Sequence, residues 1–186
     1  MKQRKLRALC EGAIFTALAL ILSYAEIPIG VSFGGFGGSL SFVMIPLILC
    51  AIRWGTAQGL CVGLAFGVLK YFFSNGWALT WESIILDYAA AYMLLGIGGL
   101  LKGSSNKAWL AALIACFGRF IVHFISGITI YAEYVSPIFG WNGSSSAIYS
   151  ILYNGSYMLP NTVLTVLIVF LLQKPLGKFL RSEDIR

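Results

Sequence analysis

A chain of 186 residues that is 59% hydrophobic and only 11% charged, with a mean hydropathy of +0.85, is too apolar for an ordinary water-soluble domain, which runs about 45 to 50% apolar. Its net charge of +6 is unevenly placed: Lys2, Arg4, Lys5 and Arg7 precede the first apolar run, Arg53 lies between runs two and three, Lys102 and Lys107 between four and five, and Lys174, Lys178 and Arg181 after the last. The alternate connections, around residues 29–40, 74–81 and 132–144, carry no Lys or Arg, so the positive-inside rule puts both termini in the cytoplasm and requires an even number of spans. The expectation is an all-α integral membrane protein with six transmembrane helices, one domain over residues 1–186, in contact with the lipid bilayer and with no nucleic-acid partner.

Span one is expected from about Leu6 to Ile27, long enough at 1.5 Å per residue to cross a hydrocarbon core about 30 Å thick. A basic start before an apolar run also marks signal peptides, but no small-residue cleavage site follows Tyr24, so a retained helix is expected. Ala13 and Ala17, with Gly12 and Thr16 alongside, leave one helical face almost without side-chain bulk. Such a face serves either packing within the molecule or docking of a second membrane subunit. The segment from Pro28 to Ser39 holds five glycines and the aromatic pair Phe33 and Phe36, and is either a connector or a lid.

Span two, from about Leu40 to Ile52, is short and contains Pro46. Span three, Gly55 to Phe73, places Gly55, Gly59, Gly63 and Gly67 at four-residue intervals, a stripe suited to close helix packing. Lys70, near its outer end, is expected to reach the interface, and Trp77 and Trp81 to join an aromatic belt. Span four, about Trp81 to Leu101, carries Asp87, the only acid deep within a span, followed by Tyr88. Span five runs from about Ala108 to Ile130 and span six from about Ala147 to Gln173, with Pro160 expected to bend it. Cys10, Cys50, Cys61 and Cys116 show no C-x-x-C spacing and are expected to be buried and inert.

Signatures of catalysis are missing: the sequence has no G-x-x-x-x-G-K-[ST] loop, no H-E-x-x-H and no G-x-S-x-G. An enzyme is therefore not expected, and no cofactor or metal site is indicated. The informative residues are ionisable groups where lipid would disfavour them, at about 2.5 to 3.5 kcal/mol each on insertion scales. Arg119 and the single histidine, His123, share a helix face at i, i+4, as do Tyr149 and Tyr153. With Asp87, Tyr88, Tyr131, Glu133, Tyr134, Trp141, Asn142 and Asn154 they form a polar, aromatic set near the outer leaflet. Tyr and Trp faces attract planar or cationic ligands, Asp87 supplies a counter-charge, and Asn154 offers both a donor and an acceptor. The profile fits a small, planar, partly cationic solute. Two other readings compete: an intramembrane enzyme using His123 and Asp87 as base and orienter, and a structural protein in which Asp87 simply neutralises Arg119. Asn154 lies about 140° around an ideal helix from Tyr149, so one ligand reaches both only if it is wide or the helix irregular.

The stretches EGAIFTALALIL, IPLILCAIRWGTAQGLCVGLAFG, LDYAAAYMLLGIGGL, RFIVHFISG and AIYSILYNG together make the chain similar, over nearly its whole length, to the thiamin-specific S-components (the ThiT family) of energy-coupling factor vitamin transporters. The resemblance implies a thiamin-binding subunit of the bacterial plasma membrane that delivers the vitamin together with a transmembrane coupling subunit and two ATPases; a related heterocyclic vitamin or a thiamin precursor is the alternative substrate. It further implies ligand contacts from His123, Tyr149 and Asn154 with help from Tyr88, and a partner-docking face at Ala13 and Ala17. Where the family pattern has Glu, Lys and Trp, this chain has Asp87, Arg119 and Tyr131, which keep charge or aromaticity. Trp141 aligns with a loop tryptophan. Ser41 stands where a Glu is expected, so one implied anchor is missing.

Overall fold

The structure, a computed structural model, describes residues 2–29, 37–73, 78–140 and 142–185. Phe33, Phe36, Trp77 and Trp141 lie outside the described residues. Helix α1 spans Lys2–Leu22, and a short antiparallel ladder of β1 (Ile27–Pro28) and β2 (Ser39–Leu40) follows at its outer end. Next come α2 (Met44–Trp54), α3 (Thr56–Phe73), the continuous helical segment α4 (Trp81–Leu101), α5 (Ala108–Thr129), α6 (Ser146–Leu172) and a terminal turn of helix, α7 (Gly177–Leu180). Among the described residues five helices are long and apolar enough to cross a membrane. Their outer faces present Leu6, Ile14, Leu113, Phe117, Leu159 and Leu167, as lipid-facing surfaces should. Cys10 and Cys61 are exposed on such faces, whereas Cys50 and Cys116 are buried.

The second span departs most from expectation. With 11 residues α2 rises only about 16 Å, half a bilayer core, yet every one of its residues is buried. It is the central post of the bundle, touching α1, α3, α4, α5 and α6. Non-helical backbone at membrane depth is tolerated only where protein satisfies it, and here Asn161 of α6 does so. Its Oδ1 accepts from the Ser41 N–H at 2.9 Å while its amide donates to the Ser39 carbonyl. Gly55 ends α2 at φ +96°, a left-handed cap open to glycine, and its N–H returns to the Ala51 carbonyl at 2.7 Å.

Little hydrophobic force drives helix association in lipid, so close packing must supply it. The glycine stripe of α3 does this against α4. A Cβ at Gly63 would fall 2.3 Å from the Tyr92 carbonyl oxygen, and one at Gly67 2.3 Å from that of Tyr88. Segment α4 is not a uniform helix: one α-turn capped by Thr80 leads into a π-helix at Ile84–Ala90, then an α-turn at Ala91–Met93 and a 3-10 helix over Leu94–Leu101. On α5 the buried face runs through Ala108, Ala111, Ala112 and Ala115 and continues outward as Arg119, His123 and Ser126. The same stripe is thus apolar in the core and polar near the outer end, where a cavity opens. Helix α6 runs unbroken through Pro160.

At the cytoplasmic end Arg53 is fully buried rather than in a loop. It pairs with Glu11 of α1 at 2.5 Å and with Asp184 at 2.8 Å, and lies on the Phe179 ring at 3.8 Å. The terminal segment is thereby fastened to α1 and α2.

Candidate functional site

A cavity of about 300 Å³ opens between the outer ends of α1, α3, α4, α5 and α6. Its acidic corner is Asp87, which the π-helical stretch carries on α4; such widened turns recur at functional sites. The Asp87 carboxylate accepts from Ser83 Oγ at 3.1 Å and from the Tyr131 hydroxyl at 3.4 Å, and meets His123 Nδ1 at 3.2 Å. On the other side of the imidazole, Arg119 Nε donates to His123 Nε2 at 3.3 Å. An arginine only donates, so Nε2 carries the lone pair and Nδ1 carries the proton that points at Asp87. The result is a relay in the order Arg119, His123, Asp87.

That order shows which side chain meets Asp87. Among the described residues Asp87 meets the His123 imidazole and forms no ion pair with Arg119, whose guanidinium lies instead over the Tyr92 ring at 4.1 Å. Tyr131 sits just beyond α5, and burial raises its phenol to about 12. It therefore remains a hydrogen-bond donor throughout the physiological range.

The facing wall is a ladder of rings on α6. Tyr149 and Tyr153 stack in parallel with centroids 5.7 Å apart, and Tyr157 meets Tyr153 edge-on at 5.8 Å. Asn154 lies beside this ladder, and its amide donates to the His123 carbonyl at 3.2 Å and to Ser150 O at 3.0 Å, while its Oδ1 accepts from Tyr157 at 2.6 Å. Asn154 is thus a strut between α5 and α6, with one Oδ1 lone pair to spare. The two helices come this close because Gly127 has no side chain: a Cβ there would lie 2.2 Å from Ser150 Oγ. Helix α6 stays regular, so Tyr149 and Asn154 border one cavity through its breadth.

Asp87, Tyr88, Arg119, His123, Tyr131, Tyr149 and Asn154 all line this cavity, and Tyr88 packs edge-on against Tyr71 at 5.4 Å. Trp141 lies outside the described residues. Ser41 is buried beneath the ladder of β1 and β2, away from the lining, so the position where the family pattern expects Glu contributes no anchor. Sequence reasoning missed Glu26, Ser39, Lys70, Tyr92 and Tyr157 as lining residues. Lys70 does not extend to the interface but turns inward to Glu26, which also accepts from Ser39 Oγ at 2.6 Å. Tyr157 and Tyr92 were accessible to helical spacing, one at i+4 from Tyr153 and the other at i+4 from Tyr88. Ser126 Oγ, on a residue only 1% exposed, borders the cavity without a hydrogen-bond partner among the described residues. An unsatisfied buried hydroxyl costs about 1 to 3 kcal/mol, so a ligand donor or acceptor there would be favoured.

Fold and cavity together define a multi-pass helical membrane protein with a polar, aromatic chamber at its outer end. The profile of the family described as Thiamine transporter protein (Thia_YuaJ) matches residues 9–180. The chain is 31% identical to the thiamine transporter ThiT of Bacillus subtilis, with 98% of each chain covered. Identity to ThiT of Lacticaseibacillus paracasei is 30%, over 91% of this chain and 88% of that one. A solved structure of ThiT from Listeria monocytogenes superposes with a TM-score of 0.80 at 26% identity, covering 94% of this chain and 97% of the other. The chain belongs to the thiamine transporter family, whose named members are transporters rather than enzymes.

Proposed function

We propose that the cavity binds thiamin and that the protein captures the vitamin at the outer face of the membrane. The observation that carries this reading is the pairing of a half-buried carboxylate, Asp87, with a stacked tyrosine ladder across a cavity of about 300 Å³. Thiamin joins an aminopyrimidine to a cationic thiazolium. Asp87, held by His123 and Tyr131, is suited to accept from the amino group, and the faces of Tyr149 and Tyr153 are suited to the flat cation. Arg119 acts through His123, fixing its tautomer, and Asn154 holds Tyr157 and the α5 backbone in place. Tyr88 closes the side wall, and Trp141 is assigned to the rim by the family resemblance alone.

Release into the cell is assigned to a complex with an energy-coupling factor transmembrane subunit and two ATPases. Two features support this: the chain lacks a nucleotide-binding loop, and Ala13 and Ala17 lie on the exposed face of α1 while Gly12 and Thr16 turn inward. Ala13→Leu with Ala17→Leu should leave thiamin binding intact and abolish uptake in cells supplying the other subunits. Loss of binding in that variant would contradict the docking role. Competition of unlabelled vitamins against bound thiamin tests the substrate: thiamin should displace in the submicromolar range, and a different heterocycle displacing more tightly would overturn the assignment.

A further inference from the structure

A second ion pair sits in the cavity wall, apart from the Asp87 relay. Glu26, at the outer end of α1, takes Lys70 of α3 as its partner, and is held from the other side by Ser39 of β2 at 2.6 Å. Both side chains are largely withdrawn from solvent, 17% exposed for Glu26 and 11% for Lys70, and both border the cavity. The Lys70 ammonium also lies 5.8 Å from the centre of the Tyr92 ring, the ring on which Arg119 rests at 4.1 Å. Two cations therefore approach one aromatic ring, and among the described lining residues two carboxylates, Glu26 and Asp87, balance them.

From this arrangement we infer that Glu26 is a selectivity residue that neutralises Lys70 and so sets the cavity against anionic forms of its ligand. The inference rests on the reading of the cavity as a thiamin site. A lysine ammonium is a compact point charge and a ready phosphate binder. Left unpaired in the cavity that Arg119 also lines, it would make a cationic wall that welcomes a phosphate ester of the ligand's hydroxyl. With Glu26 in place the wall is neutral, and an arriving phosphate meets a carboxylate that has no proton to give. The same carboxylate favours a ligand bearing only the thiazolium cation. A low-dielectric wall makes a single charge felt over several ångströms, so Glu26 acts without touching the ligand.

Calorimetric titration of the purified full chain with thiamin and with thiamin monophosphate tests this through the ratio of the two dissociation constants. The parent should prefer thiamin. Glu26→Gln keeps the shape and removes the charge, and should move the ratio toward the phosphate by about tenfold or more. Lys70→Met should move it the opposite way, and the double variant should return it to within about threefold of the parent. A purely structural pair would weaken both ligands alike in both single variants, and an unchanged ratio overturns the inference. Should Glu26→Gln not fold, Glu26→Asp draws the carboxylate back from Lys70 by one carbon, and a smaller shift in the same direction is expected; an unchanged ratio there is equally decisive. A parent that binds neither ligand overturns the thiamin reading itself, an outcome distinct from a parent that binds thiamin and variants that leave the ratio fixed.

Discussion

The Asp87 carboxylate is met by three side chains, Ser83, Tyr131 and His123, so an amide at this position preserves size while removing the charge they converge on. Asp87→Asn should lose about 1.5 to 3 kcal/mol of thiamin binding, ten- to a hundredfold in affinity, in fluorescence titration of the folded variant. Parental affinity would remove Asp87 from the site. His123 and Asp87 were legible in the sequence because an ionisable group within an apolar span has few innocent explanations. The sequence could not order the relay, since Arg119 is as close to His123 along the helix as any partner and only the packing of α4 on α5 decides that Asp87 meets the imidazole. Glu26 and Lys70 were not legible as a pair. They are 44 residues apart, and each alone looks like an interfacial charge at the end of a span.

At the level of elements, the π-helical stretch and the glycine stripe form one unit. Gly67→Ala would place a methyl 2.3 Å from the Tyr88 carbonyl oxygen, against backbone that cannot swing aside. Overpacking of this kind costs about 1 to 3 kcal/mol, and here it displaces the segment carrying Asp87. Thermal unfolding in detergent should show a lower Tm, and titration a weaker thiamin affinity. Gly155→Ala on α6, where a Cβ meets nothing within 4 Å, should do neither; equal damage from both substitutions would contradict the packing role. The stripe was readable from its four-residue spacing. The π-helix was not, because IILDYAA is ordinary helix-forming sequence, and the widened turn is a property of how α4 lies on α3. The shortness of α2 was legible, but its place as the buried post was not, since that depends on Asn161 completing the backbone hydrogen bonds some 120 residues away.

On the scale of the whole molecule, a neutralised charge cluster fixes the cytoplasmic end and a polar cavity opens at the outer one. Arg53, fully buried, faces Glu11 and Asp184, and Arg53→Met leaves those partly exposed carboxylates without their shared cation, which should appear as a fall in Tm. Hydrogen bonding from Arg53 holds the Asp184 carboxyl down to about 2, below the roughly 3.9 of an unfolded chain. A depressed folded value means the contribution is complete above about pH 4 and is lost as pH falls toward 2. The Tm difference between the parent and Asp184→Asn should accordingly be constant at neutral pH and shrink between about pH 4 and 2; a difference that persists at pH 2 would contradict the pairing. At the other end of the molecule the cavity is the proposed thiamin site. Titration of the purified chain with thiamin, followed by tryptophan fluorescence, should give saturable quenching at submicromolar concentration with one site per chain, and an unchanged signal up to millimolar thiamin, confirmed by a calorimetric blank, would contradict it.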